Sequence, residues 1–190
     1  LDLGTRAERT IAANVIDFAP APGGTTIALI RDLGKGSEPD VSGIDLWLIG
    51  RDGSGLRQLT NDSYSLIEAT PAWAPDGQAL AYAASGTSDA YARTWQEWST
   101  WCAGSEVHVR VLSEAAPQSF GPGCDPAISP DGKRIAYATP PSTRAEGENA
   151  PNATNAIRLI NRQGQNGWNF AVSTAPSAPP EKQGLLVYAP

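Results

Sequence analysis

Trp73-Ala74-Pro75-Asp76-Gly77-Gln78-Ala79-Leu80-Ala81-Tyr82-Ala83 is the stretch on which the reading of this chain turns. It returns as Ile128-Ser129-Pro130-Asp131-Gly132-Lys133-Arg134-Ile135-Ala136-Tyr137-Ala138. Aligned on Pro75 and Pro130, the copies stand 55 residues apart and agree in residue type at most positions. A looser copy lies upstream as Phe18-Ala19-Pro20, Gly23-Gly24 and Ile27-Ala28-Leu29-Ile30. A degenerate fourth closes the sequence as Pro179-Pro180, Gly184 and Leu185-Leu186-Val187-Tyr188. Counted from Leu29 through Tyr82 and Tyr137 to Tyr188, the period is 51 to 55 residues, the range of blade-type repeats.

The Pro-Asp-Gly core has a mechanism. Proline pre-sets φ for the second position of a tight turn, Asp accepts from its own backbone, and Gly takes a positive φ. Short β-forming runs flank it, Ala72-Trp73 before and Leu80 to Ala83 after, which reads as a hairpin. A second hairpin follows in each copy. Ile44 to Ile49 meets Asp52-Gly53 and returns as Leu56 to Thr60, and Asp-Gly between alternating hydrophobics is a strong hairpin signal. Ala156 to Asn161, Gln163-Gly164 and Trp168 to Val172 repeat that unit, and Glu106 to Leu112 is the intervening copy without a clear turn. Two hairpins per repeat make one four-stranded antiparallel blade, so the fold class is all-β, a β-propeller. The expected blades are 15–60, 68–120 and 124–173, with 175–190 partial: three and a half to four blades, either closing on themselves or forming part of a larger ring. Residues 1–14 are polar, with an edge strand expected around Thr10-Ile11-Ala12.

The combined pattern, carried by Leu46 to Ile49, Asp52-Gly53, Leu59-Thr60, Pro71 to Gly77 and Leu80 to Tyr82, resembles the repeat of TolB-like β-propellers. The match is tight over 44–84 and 124–138 and partial elsewhere. The resemblance implies the fold and an interaction role; it maps no partner onto particular residues. Such propellers also occur attached to enzymes, and fold alone does not choose between these uses.

Cys102 and Cys124 are the only cysteines. They either pair or remain two buried thiols. The resemblance implies an extracytoplasmic setting (periplasmic, cell-envelope or secreted), where pairing is favoured. The chain begins with Leu1 and has no Met, so a segment cleaved from its start, or a longer parent protein, is expected. Net charge is −6 with no run of Lys or Arg, which argues against nucleic acid as a partner. No apolar run approaches the ~20 residues of a membrane span.

Within a blade both hairpin turns point to one side of the disc and the connection between hairpins to the other. Those connections are the long ones, 31–43, 85–105 and 140–155, so three insertions share one face. Loops on a rigid scaffold are where binding concentrates, which makes that face the expected protein-binding surface. The middle insertion is the most unusual. Tyr91, Trp95, Trp98 and Cys102 are spaced as one stripe of a short helix, with Ser88 or Asp89 as its cap and Trp101 beside the stripe,. These aromatics either pack onto the disc or form a platform, Tyr91, Trp95, Trp98 and Trp101, for a protein, peptide or glycan.

Catalytic chemistry is hard to find. The single histidine, His108, falls in an expected strand, and no nucleophile elbow is present,. Two cysteines and one histidine at unrelated spacings make no zinc motif, and Asp76 and Asp131 are explained by their turns. The expectation is a non-catalytic interaction or assembly module, with no metal and no cofactor. The alternatives are the propeller part of a larger prolyl-oligopeptidase-type hydrolase, or a glycan-binding module using the tryptophans.

Overall fold

The computed structural model describes residues 8–33, 44–61, 66–86, 95–139, 156–165 and 167–171. Its strands fall into three four-stranded antiparallel sheets. Blade 1 contains β1 (Val15–Pro20), β2 (Thr26–Asp32), β3 (Ile44–Gly50) and β4 (Arg57–Gln58) in sequence order. Blade 2 contains β5 (Ile67–Trp73), β6 (Ala79–Ser85), β7 (Ser105–Val111) and β8 (Gln118–Pro122), with helix α1 (Trp95–Ala103) between β6 and β7. Blade 3 contains β9 (Cys124–Ile128), β10 (Arg134–Thr139), β11 (Ala156–Asn161) and β12 (Trp168–Ala171). The degenerate fourth copy at 175–190 lies outside the described residues.

The two tight repeats fold alike down to their hydrogen bonds. Gly77 N donates to Ala74 O at 2.9 Å and Gly132 N to Ser129 O at 2.8 Å. Asp76 Oδ1 accepts from Gln78 N, and Asp131 Oδ1 from Lys133 N. Gly77 and Gly132 both sit at φ +68, in the left-handed region that glycine enters without steric cost. Ser129 Oγ also donates to Asp131, and this hydrogen bond, with that from Lys133 N, holds the Asp131 carboxyl below the usual carboxylate range.

The innermost strands carry a second shared device. Thr70 (φ +51) and Asp125 (φ +49) occupy equivalent places 55 residues apart, each immediately before a proline, at a bulge in β5 and β9. Proline cannot donate to the ladder, so strand pairing breaks there and the backbone turns.

Neighbouring blades pack face to face. β6 is buried at every residue, and alternation sorts its side chains. Leu80, Tyr82 and Ala84 join Ala28, Ile30, Leu46 and Leu48 of blade 1. Ala79 and Ala81 join Val107, Val109 and Phe120 against Ile135, Tyr137 and Ile160 of blade 3. The Trp73 indole N–H donates to Ala19 O at 2.8 Å, tying β5 to β1, whereas Ile128, its counterpart in blade 3, packs by apolar contact alone. Next to these interfaces, Gly123 joins blade 2 to blade 3 so closely that a Cβ would stand 2.5 Å from Tyr137 Cδ2 and 2.6 Å from Ala138 O.

The strand expected at Thr10-Ile11-Ala12 is absent; residues 8–12 carry no strand pairing. This segment instead runs beside blade 1, where Arg31 Nε donates to Ala13 O, Arg9 donates to Asp52 O, and Ile11 approaches Gly53. Side-chain contacts fix it without a ladder.

Tyr137 gives a test of the blade 2–blade 3 interface. Its hydroxyl is buried and donates to Phe120 O at 2.7 Å, and burial raises its pKa above the ordinary 10.0, against the lowering effect of Arg158. A raised folded value means this contribution is complete below pH 10 and is lost as pH climbs through that value. Tyr137→Phe is therefore expected to cost about 1–2 kcal/mol at pH 7. It should also flatten the loss of stability above pH 10, as read by urea unfolding at a series of pH values.

Candidate interaction face

The connections β2–β3, β6–β7 and β10–β11 leave equivalent ends of the three sheets, so 31–43, 85–105 and 140–155 attach at one side of the disc. Within the described residues the feature of that side is α1. An isolated nine-residue helix is marginal in water, so its order comes from what it touches.

Two links hold it. Cys102 in α1 and Cys124, the first residue of β9, form a disulfide, and both are fully buried. The helix closes into β7 through Gly104 N, which donates to Thr100 O and Trp101 O, while Ser105 Oγ donates to Trp101 O at 2.6 Å. α1 is carried by blade 2 and bonded covalently to the inner strand of blade 3.

The expected platform residues separate accordingly. Trp101 is 1% exposed and packs with Ile67, Ala69, Ala83, Cys102 and Cys124. This corrects its assignment to an exposed platform: anchoring Cys102 to blade 3 turns the neighbouring Trp101 inward with it. Trp95 and Trp98 belong to α1, but their side chains lie outside the described residues, as does all of Tyr91 with the expected cap at Ser88 or Asp89. Glu97 and Thr100 are exposed, and Glu97, four residues before the buried Trp101, lies on the flank of α1,.

His108 occupies β7 as expected, stacked on Tyr82 with ring centroids 5.5 Å apart and its Nε2 4.0 Å from Glu106. Among the described residues no group of three His, Cys, Asp or Glu is arranged to hold a metal ion, and no helix is long and apolar enough to cross a membrane.

Sequence reasoning missed the clefts between blades. On the side of the hairpin turns, a cleft of about 890 Å3 separates blade 2 from blade 3, and one of about 510 Å3 separates blade 1 from blade 2. A smaller cavity of about 240 Å3 between blades 1 and 2 is lined by Glu68, Tyr82, His108 and Arg110. Their walls come from residues distant in sequence.

Comparison with known proteins gives the fold. TolB from Acinetobacter baumannii superposes over 90% of this chain and 36% of its own, with a TM-score of 0.59 and 16% identity. The fold is that of a TolB-like β-propeller. The β-propeller domain of the Trilobed protease from Pyrococcus furiosus, described as having an open velcro topology, matches 82% of this chain and 42% of its own at TM-score 0.53 and 9% identity. The Pyrococcus horikoshii acylaminoacyl peptidase matches 84% of this chain and 25% of its own at TM-score 0.52 and 11% identity. No family model and no curated protein sequence matches the chain. This TolB-like propeller thus spans less than half the length of these structural relatives.

The disulfide yields a measurable stability. With 22 residues separating the cysteines, removing the cross-link releases about 3 kcal/mol of loop entropy to the unfolded chain. Cys102→Ala/Cys124→Ala is expected to lower unfolding free energy by about that amount, and dithiothreitol should lower the wild-type midpoint while leaving the variant unmoved.

Proposed function

We propose that this chain is a non-catalytic interaction module that works outside the cytoplasm and docks a partner protein on the face bearing loops 31–43, 85–105 and 140–155. The observation that carries this reading is α1, a short helix on the middle loop, bonded to the next blade and leaving Glu97 and Thr100 exposed. A rigid mount for an exposed element lowers the ordering cost of association. Its remaining aromatics, Trp95 and Trp98, with Tyr91 just before it, are the residue types that dominate interface energies.

The extracytoplasmic setting draws support from the Cys102–Cys124 bond, since structural disulfides persist in oxidising compartments. The non-catalytic reading draws support from His108, the single histidine, which is held in a strand by stacking on Tyr82. A second reading, the propeller part of a larger hydrolase, draws on the two peptidase-related neighbours; it requires a hydrolase sequence joined to this one in the intact protein.

A photocrosslinking amino acid placed at Glu97 or Thr100, and separately at Arg51 or Asp52 in the β3–β4 turn on the opposite face, tests the proposal in the native host. One discrete protein adduct is expected at the α1 positions and absent from the hairpin-turn positions. Adducts confined to the hairpin turns would contradict it.

A further inference from the structure

The two sides of the disc differ in charge. Asp32, Asp45, Glu68, Glu97, Glu106 and Asp125 stand at the loop-bearing ends of their elements. The hairpin-turn side carries the cations Arg51, Arg57, Lys133, Arg134 and Arg162, beside the turn carboxylates Asp52, Asp76, Glu114 and Asp131. In a chain of net charge −6, these five cations make that side the less acidic of the two among the described residues.

Three of them meet in one place. Lys133 and Arg134 at the start of β10 and Arg162 in the β11–β12 turn line the cleft of about 890 Å3 between blades 2 and 3. Exposed Lys133 and Arg134 make no side-chain ion pair among the described residues, while Arg162 stands 3.8 Å from Asp76 and donates to Gly132 O. Two carboxylates also line the cleft: Glu114 on the opposite wall, and Asp131, which accepts from Ser129 and the Lys133 amide and is also attracted by the Lys133 and Arg134 charges, so three cations face two anions there. Val109 and Val111 supply apolar surface, and Gln118 and Gln163 supply amides. No aromatic ring lines it among the described residues. The corresponding cleft between blades 1 and 2 has Arg57 as its one cation, with Asp76 across from it.

We infer that the blade 2–blade 3 cleft is a second binding site, distinct from the loop face, for an acidic peptide segment that also carries aliphatic side chains. Carboxylates of the segment meet Lys133 and Arg134 in charge-assisted hydrogen bonds, the mode by which clustered cations recognise acidic motifs. The aliphatic residues cover Val109 and Val111. A peptide fits this lining better than a sugar chain, because the cleft offers apolar wall and amides but no ring on which a pyranose stacks.

The test is fluorescence anisotropy with a fluorescein-labelled octapeptide alternating leucine and glutamate, at low ionic strength. Saturable binding is expected, weakening as salt rises, with at least about tenfold loss in Lys133→Glu/Arg134→Glu from the two charge-assisted contacts. Arg51→Glu/Arg57→Glu, on blade 1, should bind as wild type. Lys133→Ala/Arg134→Ala should also weaken binding and replaces the reversal if circular dichroism shows the latter misfolded. The proposal is overturned by no binding to wild type, by undiminished binding to the Lys133/Arg134 variants, by equal binding of a leucine–lysine peptide, or by a heparin hexasaccharide binding this cleft more tightly than the peptide.

Discussion

The rest of the molecule depends on the way β6 is buried from both sides. A strand with apolar residues on one face packs one neighbour; β6 packs two. Leu80 and Tyr82 project toward blade 1 while Ala79 and Ala81 project toward blade 3. The alanines matter as much as the large residues. They let Ile135 and Tyr137 of blade 3 approach, and interiors packed at crystal density leave little room for anything larger. With β6 in place, three sheets become one stack, and their turns and connections are sorted onto opposite sides.

That stack explains why a helix too short to stand alone is ordered where it is. α1 begins and ends in blade 2, yet the contacts that hold it, Cys102 to Cys124 and Trp101 among Ile67, Ala69 and Ala83, lie at the junction with blade 3. Gly123 sits one residue before the disulfide and against the Tyr137 ring. The junction therefore couples the blade interface to the element proposed to meet a partner. On the opposite side the same interface splays into a cleft, because blade 2 and blade 3 each end there in short polar turns.

Much of this was legible in the sequence. The copies at Pro75 and Pro130 predict two equal turns, and Gly77 and Gly132 share their φ and their hydrogen bonds. The long connections could be assigned to one side because antiparallel order leaves no other choice. The bulges also had a signal in Thr70-Pro71 and Asp125-Pro126, where proline interrupts the ladder. Trp101 was not legible. Helical spacing sets angles between side chains but not which side meets the disc, and that is decided by Cys124, 23 residues further on. The inter-blade clefts were invisible for a related reason: Val109 and Arg162 become neighbours only when blades stack. The N-terminal segment misled because its β-forming residues satisfy a packing surface rather than a ladder.

Amide hydrogen exchange in the Gly123→Ala variant tests most directly whether the blade 2–blade 3 junction holds α1. The added methyl has no space beside Tyr137 and Ala138 O, so the junction must shift while the sequence of the helix is untouched. The account predicts that protection at Trp101 to Gly104 falls together with that of β9 and β10, with β1 to β4 retaining theirs. Unchanged protection in α1, with β9 and β10 loosened, would contradict it.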